Sequence, residues 1–584
     1  MDNHALARVL HDIADVLEIK GESVFRIRSY RLSAESVQSH GHDVADMVRR
    51  GEDLKAISGV GEGIASKLRE LVENGACAYH AELLSEVPRS LLELLTLPGL
   101  GPKGVSLVWR EMGVRSADEL LAAIDDGRFR MLRGMKEKKE VKIRQALLAR
   151  KTAPRRFLRP AAEAVVTRLG RFLLDRGAVR VEAVGSYRRC KETIGDVDLL
   201  VVGDAQALSD AFVGHEDVAE VLGHGTAKSS VRLSSGLQVD LRPFAPESLG
   251  AAMQYFTGSK DHNVRLRERA IRRGLKLNEY GVYRLEDGTR VAGATEEDVY
   301  ASLGLGWIPP ELREDRGEIA AAEAGTLPRL LEKADVRGDL HAHTVESDGR
   351  DTLEDMVAAA RARGLDYLAI TEHSKAIPSV KNGRGMDEAR ALEHIARVHA
   401  FPARAGFRLL AGAEVDILPD GSLDLADDVL AQLDVVVGSL HSRLDMEREE
   451  MTARVVRALG NPHLDIWGHP VARRLLSREP VKIDVDRAFD EAARQGVVLE
   501  VNCQPSRLDL PDHLMRPARD RGLRFVVSTD SHSVQDFDTL SYGIGQARRG
   551  WLSPADVINT RDADGFLAAL RGAATRNEPR SPSS

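Results

Sequence analysis

The chain has 584 residues, of which 29% are charged and 43% are hydrophobic, and its formal net charge is -8 at pH 7. At ~100–200 residues per domain, this length predicts about four compact units. No stretch approaches ~18 consecutive apolar residues, and the first residues form an amphipathic pattern with acidic residues, so we expect neither a membrane span nor a targeting signal. Three cysteines lie far apart in sequence, which excludes a disulfide framework and a cysteine-rich zinc site.

The N-terminal part of the chain is helical in pattern and is interrupted by Gly-rich turns. In "ISGVGEGIASKL", Gly59 and Gly61 precede an amphipathic helix, and "TLPGLGPKGVSL" repeats the arrangement at Gly99 and Gly101. "LRGMKEKKEVKI" is a degenerate third copy, with Lys136 in place of the second glycine. Such glycines let N–H groups at a helix N-terminus approach a phosphate. One copy could be a simple turn, but the repeat indicates a helix-hairpin-helix region that holds the DNA backbone without reading bases.

A basic run follows these turns. Residues 136–159 contain ten basic and two acidic residues. An isolated run of this kind is typical of a solvated helix face, but its position after the hairpins favours phosphate contact. Because local patches decide such contacts, the negative net charge of the chain does not exclude DNA binding.

Carboxylates carry the chemistry of the next segment, in which strands alternate with helices. In "VGSYRRCKETIGDVDLL", Asp196 and Asp198 are two residues apart on a strand and therefore share a face. Asp240 in "LQVDLRPF" is predicted on a neighbouring strand. Like charges held this close require a cation, and a cup of three carboxylates is typical of two-metal phosphoryl transfer.

Donors for phosphate precede these carboxylates. Gly185 and Ser186 come before a predicted helix and offer N–H and hydroxyl groups, with Arg188 and Arg189 as cationic partners. A lone D-x-D pair is common in surface turns. The combination of G-S-x-R-R with D-V-D is far more specific and predicts a nucleotidyltransferase site.

The C-terminal half contains seven apolar, β-branched runs of strand length, separated by helix-like segments. Six of the runs end in His, Asp or Glu, and a parallel barrel gathers such strand ends around one mouth. A single His at a strand edge is usually structural, but this number of ligands predicts a metal centre. The candidate ligands are His341, His343, Asp348, His373, Glu414, His441, His469, Asp530 and His532.

The segment "YFTGSKDHNVRLR", together with the carboxylate motif, resembles DNA polymerase beta and its bacterial family X relatives. The resemblance covers the helical region, a palm and a thumb. It implies that Asp196, Asp198 and Asp240 bind two Mg²⁺ or Mn²⁺ ions. The nucleotide-binding residues that it implies are Gly185, Ser186, Arg189, Tyr255, Phe256, Gly258, Asn263 and Arg267. Without the family motif, Tyr255 and Phe256 would be interpreted as core packing.

Three departures from the family pattern are visible. Lys260 stands where polymerase beta has an aspartate beside the nucleotide, and Gln238 replaces an arginine beside the third carboxylate. Lys67 is a candidate lyase residue because it aligns with the Schiff-base lysine of that family, which requires a neutral amine. Gly63 replaces a basic neighbour, so a phosphate-binding or solvated Lys67 is an equal alternative.

The C-terminal ligand pattern is similar to that of the PHP (polymerase and histidinol phosphatase) family over roughly residues 336–535. This resemblance implies a distorted (β/α)7 barrel with up to three Zn²⁺ or Mn²⁺ ions. Arg507 could neutralise a substrate phosphate or pair with Asp509. The mouth shows few other basic residues, so we expect long DNA to be held mainly by the hairpins and the basic run.

The fold class is therefore multidomain: an α-helical helix-hairpin-helix region, an α/β nucleotidyltransferase palm with an α+β thumb, and the barrel. The predicted units are a helix-hairpin-helix domain like the 8-kDa domain of the family (1–85), a second such subdomain (86–150), the palm (151–245), a nucleotide-selecting thumb (246–318), a linker (319–335), the PHP domain (336–575) and a disordered tail (576–584).

The main functional hypothesis is an enzyme that fills gaps in DNA and also degrades DNA from the 3' end, with incision at abasic sites as a further activity. It implies gapped or primer–template DNA and dNTPs as partners, a monomer, and a cytoplasmic location near the nucleoid. One alternative is a DNA-end-binding repair scaffold whose barrel is structural. Another is a nucleotidyltransferase for RNA or small molecules fused to a phosphatase.

Overall fold

The computed structural model describes residues 3–38, 44–57, 59–95, 97, 99–132, 134–152, 156–376, 385–402 and 406–570. The chain divides into two compact units, Met1–Pro154 and Arg155–Ser584. Within the described ranges, no helix is long and apolar enough to cross a membrane. The tail predicted at 576–584 lies outside them.

The first unit is helical, and the apolar sides of its helices form one core. Its helices are α1 (Asn3–Lys20), α2 (Val24–Gln38), α3 (Val44–Arg49), α4 (Glu62–Asn74), α5 (Ala78–Glu86), α6 (Arg89–Leu94), α7 (Pro102–Met112), α8 (Ala117–Asp125) and α9 (Glu137–Thr152).

Three turns of this unit share one geometry. Each has a glycine with left-handed φ, then a buried apolar residue whose N–H donates to the carbonyl three residues back, then the residue that precedes a helix. The turns are Gly59-Val60-Gly61 before α4, Gly99-Leu100-Gly101 before α7, and Gly134-Met135-Lys136 before α9. The degenerate third copy therefore keeps the hairpin backbone although its second glycine is a lysine.

The second unit begins with the palm, a five-stranded sheet in the order β2-β4-β7-β6-β5. β4 and β7 are parallel, and the other neighbours in this sheet are antiparallel. The palm strands are β1 (Phe157–Leu158), β2 (Arg180–Ala183), β3 (Thr193–Ile194), β4 (Asp196–Val202), β5 (Val218–Gly223), β6 (Ser229–Leu233) and β7 (Gln238–Pro243), and its helices are α10 (Arg159–Asp175), α11 (Gly185–Arg188) and α12 (Ala205–Val213).

The thumb follows, with helices around a three-stranded antiparallel sheet in the order β10-β9-β8. Its elements are α13 (Leu249–Thr257), α14 (Lys260–Arg272), β8 (Leu275–Asn278), β9 (Gly281–Arg284), β10 (Arg290–Ala292), α15 (Glu296–Ser302) and α16 (Glu318–Ala324).

The segment predicted as a linker, 319–335, is packed against both neighbours. Ala322 and Leu330 are buried in the thumb core together with Trp551 of the C-terminal part, whereas Leu331 is buried in the barrel core. The expectation of a short helix here is correct, since α16 spans most of the first half. The segment is not a free spacer, because its apolar side chains pack against the thumb and the barrel. A sequence pattern does not reveal these packing surfaces.

The barrel is a parallel seven-stranded sheet in the order β11-β12-β13-β14-β15-β16-β17, as the seven apolar runs predict. A parallel bridge between Ala342 and Ser531 joins the segments that follow its first and last strands. Its strands are β11 (Gly338–Asp339), β12 (Tyr367–His373), β13 (Arg408–Asp416), β14 (Val435–Ser439), β15 (Ile466–Trp467), β16 (Val498–Asn502) and β17 (Phe525–Ser528), and its helices are α17 (Leu353–Ala362), α18 (Glu388–His399), α19 (Asp427–Leu430), α20 (Arg448–Leu459), α21 (Val485–Gln495), α22 (Asp512–Asp520), α23 (Leu540–Arg549) and α24 (Ala563–Ala569).

Helix α23 of the barrel docks on the palm and the thumb. Arg549 pairs with Glu314 at 2.9 Å, and the Tyr542 hydroxyl donates to Glu163 of α10 at 2.5 Å. A Cβ atom at Gly545 would lie 2.8 Å from the Arg159 guanidinium, so a larger residue would displace that guanidinium. The barrel is thus held against the polymerase-like core by buried polar contacts.

Candidate metal centres

The palm brings the three predicted carboxylates together. Asp196 and Asp198 lie two residues apart on β4, and Asp198 is directly opposite Asp240 in the parallel pairing of β4 with β7. Burial and the charges of Asp196 and Asp240 together raise the pKa of Asp198 to about 6. Such mutual repulsion indicates a cup built to receive cations.

Two cationic side chains next to this cup were not found from the sequence. Lys228 Nζ lies 2.6 Å from Asp240 Oδ2, and an Arg242 Nη atom lies 4.0 Å from the same oxygen. Burial acts to raise the pKa of Asp240, but hydrogen bonds from Lys228, Ser230 and Gln238 outweigh it and lower the pKa. The departure at Gln238 is therefore in direct contact with a predicted metal ligand, at 3.1 Å.

The phosphate-binding motif starts immediately beside the carboxylates. Gly185 has φ +67°, and a Cβ atom there would lie 3.0 Å from an Asp198 carboxylate oxygen, so glycine is required. Arg188 is held by a buried carboxylate of the thumb, Glu296, at 2.8 and 2.6 Å. Arg189 donates to the Thr257 carbonyl and pairs with Glu314 at 3.0 Å. Both arginines therefore join the palm to the thumb beside the Gly258 turn, since Arg188 also donates to the Thr257 hydroxyl at 2.7 Å.

The predicted nucleotide-selecting residues lie at the junction of α13 and α14. The Tyr255 and Phe256 rings are partly buried and meet edge to face, with centroids 5.0 Å apart. Asn263 is buried, accepting from Gln254 at 2.7 Å and donating to the Tyr255 carbonyl at 2.6 Å. Lys260 and Arg267 are exposed. The structure thus places the family segment around Gly258, whose φ of +71° again requires glycine.

Lys67 lies on α4 of the first unit. Its ammonium donates to the Gly63 carbonyl at 3.0 Å and lies 4.8 Å from the centre of the Tyr79 ring. Its role as a lyase nucleophile stays a prediction.

The barrel mouth brings all nine predicted ligands together, in three groups. Ligand atoms within each of the first two groups, and of the first three residues of the third, lie within 4.8 Å of one another. The groups are His343, Asp348, His373 and His532; His341, His343 and Asp530; and His373, Glu414 and His441, joined by His469.

Glu414 is the centre of the cluster. Its carboxylate lies 2.8 Å from His373, 3.0 Å from His469, 3.2 Å from His341 and 3.3 Å from His441. Asp530 forms the second junction, 3.4 Å from His343 and 3.6 Å from His341. Each of these two carboxylates is therefore close to histidines of more than one group.

Several of the ligand atoms are buried and form no hydrogen bond within the described part of the chain, although they lie close to one another. Both ring nitrogens of His343, Oε2 of Glu414 and Oδ1 of Asp348 are buried without a hydrogen-bond partner in the described residues. Unsatisfied buried polar atoms are costly unless they bind something. Imidazole and carboxylate donors without thiolate suit divalent cations, so the residues fit a metal cluster.

Two buried polar residues of β16, Glu500 and Asn502, orient the ligands. The sequence analysis did not identify them. Glu500 accepts from the His341 ring at 2.7 Å and from the His469 N–H at 2.7 Å, and Asn502 donates to Asp530 at 3.0 Å. Glu500 and Asn502 are two residues apart on β16, the strand that none of the nine predicted ligands follows. Their spacing in "VVLEVN" put two polar groups on one face, and that signal could have revealed them.

Together these features define a class of protein, a nucleotidyltransferase core joined to a metal-dependent phosphoesterase barrel. Family models match the chain at residues 1–77 (helix-hairpin-helix domain), 252–314 (DNA polymerase beta thumb) and 339–503 (PHP domain). The DNA polymerase/3'-5' exonuclease PolX of Bacillus subtilis (strain 168) is 34% identical over 97% of this chain and 99% of its own length. The chain belongs to the bacterial family X DNA polymerases that carry a C-terminal PHP domain.

Shorter relatives match a part of the chain. A probable phosphatase of Thermoanaerobacter sp. (strain X514) is 26% identical over 38% of this chain and 89% of its own length. A probable phosphatase of Acetivibrio thermocellus is 28% identical over 36% of this chain and 83% of its own length.

Proposed function

We propose that this protein is a DNA-directed DNA polymerase that fills short gaps during DNA repair and whose PHP barrel is a metal-dependent 3'-5' exonuclease. The observation that carries the proposal is that one compact unit, Arg155–Ser584, holds two separate clusters with ligands for divalent cations. A synthetic and a degradative site therefore work on one polypeptide.

In the palm, Asp196, Asp198 and Asp240 would hold two Mg²⁺ or Mn²⁺ ions. When bound, such ions supply Lewis-acid activation of the primer hydroxyl and charge neutralisation on the triphosphate. The chain itself provides Gly185 and Ser186 for the phosphates. Arg189 would exchange Glu314 for a phosphate, since both are anions and Glu314 lies 3.0 Å away.

In the barrel, the nine ligands would hold up to three Zn²⁺ or Mn²⁺ ions, which supply an activated nucleophile and stabilise the leaving oxygen. Burial lowers the pKa values of His343 and His469 to about 3, aided by His373 and Arg507 respectively. Both imidazoles are therefore neutral near pH 7 and have lone pairs for ligation. Incision at abasic sites is a second phosphodiester reaction that the same centre could perform.

The partners of this function are gapped or primer–template DNA and dNTPs. The three hairpin turns and the basic residues after them support phosphate contact by the first unit. A monomer in the cytoplasm, associated with the nucleoid, is the state in which such an enzyme would meet its substrate.

A DNA-binding scaffold with a purely structural barrel explains the structure less well. In such a barrel, buried polar atoms without hydrogen bonds would cost stability and bind nothing. A phosphatase acting on monoesters is favoured by one observation, the match to the two probable phosphatases. The substrate distinguishes these two candidate activities of the barrel, because an exonuclease cleaves DNA phosphodiesters and a phosphatase cleaves monoesters.

The test uses a 5'-labelled primer on gapped DNA with Mn²⁺, with and without dNTPs. We expect extension to the end of the gap with dNTPs and stepwise shortening from the 3' end without them. If the protein hydrolyses a nucleoside monophosphate but does not shorten the primer, the barrel is a phosphatase and not an exonuclease. If the primer is not extended with dNTPs, the proposed polymerase activity is wrong.

A further inference from the structure

A short turn at the barrel mouth carries two arginines that sequence reasoning did not connect with the metal centre. It spans 474–478, just after the ligand His469, and closes on itself through the Arg474 N–H to the Arg478 carbonyl (2.9 Å) and the reverse bond (2.7 Å). The Leu475 N–H donates to the Ser506 carbonyl at 2.7 Å. The turn is thus fastened beside Arg507, which lies in the next loop of the barrel.

Arg507 faces the metal ligands. Its Nε lies 3.7 Å from Asp530 Oδ2, and no ion pair with Asp509 forms within the described residues. The residue is only 9% exposed, and its Nη1 is buried without a hydrogen-bond partner. A buried guanidinium with an unused donor is costly unless an anion binds there, so this atom marks a place for a ligand.

The three guanidiniums form a cluster with an excess of positive charge, hereafter the 474/478/507 cluster. Burial and the charges of Arg507 and Arg474 together lower the pKa of Arg478 to about 10. Arg474 is exposed and its side chain makes no hydrogen bond within the described ranges. Asp530 is the carboxylate closest to Arg507, and it also serves the metal centre. The three positive charges therefore repel one another, and Asp530 and Asp509 offset only part of that repulsion.

Leu476 projects from the tip of the same turn. It has φ +64°, a backbone conformation that is rare for a leucine, and it is 58% exposed. Strain of this kind persists only where the surrounding structure imposes it, and it is concentrated at functional sites. An apolar side chain surrounded by cations offers a packing surface for a ligand that is anionic and has flat apolar faces.

We infer that the turn 474–478 and Arg507 form the strand-binding site of the exonuclease, in which the three arginines hold successive phosphodiesters of a 3'-terminal DNA segment and Leu476 packs against a terminal base. The inference rests on the proposed exonuclease function. Arg507, beside Asp530, contacts the phosphodiester that is cleaved, and Arg474 and Arg478 hold the strand farther from the cleaved bond. The site therefore prefers an unpaired end, since Leu476 would otherwise contact a stacked base pair.

The structure adds Arg474 and Arg478 to a mouth for which the sequence indicated Arg507 alone. That long DNA is held mainly by the hairpins stays a prediction. Arg474 and Arg478 were not recognised because their relation to Arg507 is created by the turn and by the Leu475–Ser506 hydrogen bond. No spacing in the sequence indicates either.

The experiment uses the full chain and compares three variants: the double variant Arg474→Ala/Arg478→Ala, Leu476→Asn, and Arg408→Ala. Asparagine tolerates left-handed φ, so Leu476→Asn removes the apolar surface without added strain. Arg408 begins β13, at the end of the barrel opposite Glu414, and is the matched control. Each protein is assayed with Mn²⁺ on 5'-labelled single-stranded DNA, on blunt duplex DNA, and on bis(p-nitrophenyl) phosphate.

We expect the double variant to lose at least about tenfold more kcat/KM on DNA than on the small diester, and its salt slope on DNA to fall by about 2, one for each lost phosphate contact. Leu476→Asn should lose more activity on single strands than on blunt duplex, because the packing that favours an unpaired end is removed. Arg408→Ala should behave as the unsubstituted chain.

Equal losses on DNA and on the small diester would overturn the inference, because the arginines would then only support the metal centre. An unchanged KM and salt slope on DNA would also overturn it. Failure of the unsubstituted chain to degrade any DNA, with hydrolysis of the small diester intact, would instead contradict the proposed exonuclease function.

Discussion

Arg473 of the barrel forms a bidentate ion pair with Glu192 of the palm, at 2.6 and 3.1 Å. Glu192 lies in the loop after the phosphate-binding helix α11, and Arg473 precedes the turn 474–478. The Arg473 Nε also donates to the Arg507 carbonyl at 3.0 Å. One ion pair therefore joins the loops that serve the two catalytic centres.

This pair yields a prediction about stability. Glu192→Gln should lower the free energy of unfolding by about 2 kcal/mol, because it leaves a buried guanidinium with a neutral partner. Arg473→Met should cost a similar amount, and the double variant should cost less than the sum of the two. Urea unfolding of all four proteins measures this cycle, and strict additivity would show that the pair contributes no coupling.

The two activities should separate. Asp240→Asn should abolish primer extension but leave shortening of the primer, whereas His341→Ala or Asp530→Ala should do the reverse, because each centre has its own ligands. The control is Asp210→Asn, an exposed carboxylate of α12 that pairs with His224 at 2.8 Å. Loss of both activities in Asp240→Asn would show that one centre serves both reactions.

The hairpin turns should bind phosphates. A Cβ atom at Gly61 or Gly101 meets nothing within 4 Å, and neither residue has positive φ, so Gly61→Val and Gly101→Val should fold normally. They should bind DNA more weakly at every sequence, with a shallower salt dependence, since the added methyl groups block approach of a phosphate. Fluorescence anisotropy in a salt titration measures both effects. Ser66→Val, on the exposed side of α4, should bind like the unsubstituted chain, and identical curves for all variants would make the turns purely structural.

The fourth prediction concerns acid stability of the palm–thumb junction. Burial acts to raise the pKa of Glu296, but Arg313 and Arg188 outweigh it and lower the pKa from 4.5 to about 2. Because the folded pKa is depressed, the carboxylate stabilises the fold above about pH 4.5, and this contribution disappears as the pH falls toward about 2. Its size is on the order of 3 kcal/mol.

Glu296→Gln should therefore be much less stable than the unsubstituted chain at pH 7, and the difference should shrink below about pH 4.5. Denaturant midpoints between neutral and acid pH measure it. Glu297→Gln changes an exposed neighbour on the same helix and should show no such trend. A pH-independent difference for Glu296→Gln would contradict the assigned charge state.

The sequence placed nine candidate ligands after strands of a parallel barrel, and the structure brings these nine side chains together because the strand ends converge; their role as metal ligands stays a prediction. It also placed Asp198 and Asp240 on neighbouring strands. It did not reveal Glu500 or Lys228, whose roles depend on contacts between segments far apart in the chain. The packing of 319–335 was missed for the same reason, since burial of Leu330 depends on a surface that includes Trp551.

Trp551 has a consequence for how this protein can be divided. Trp551 lies within the barrel part of the sequence, but its indole packs in the hydrophobic core of the thumb. The residue is only 6% exposed. A cut near residue 335 would leave this ring in water and remove one wall of the thumb core. Calorimetry should accordingly find a single melting event for 155–584 in place of one for each catalytic half, and a nuclease fragment prepared by proteolysis would tend to aggregate through the uncovered ring.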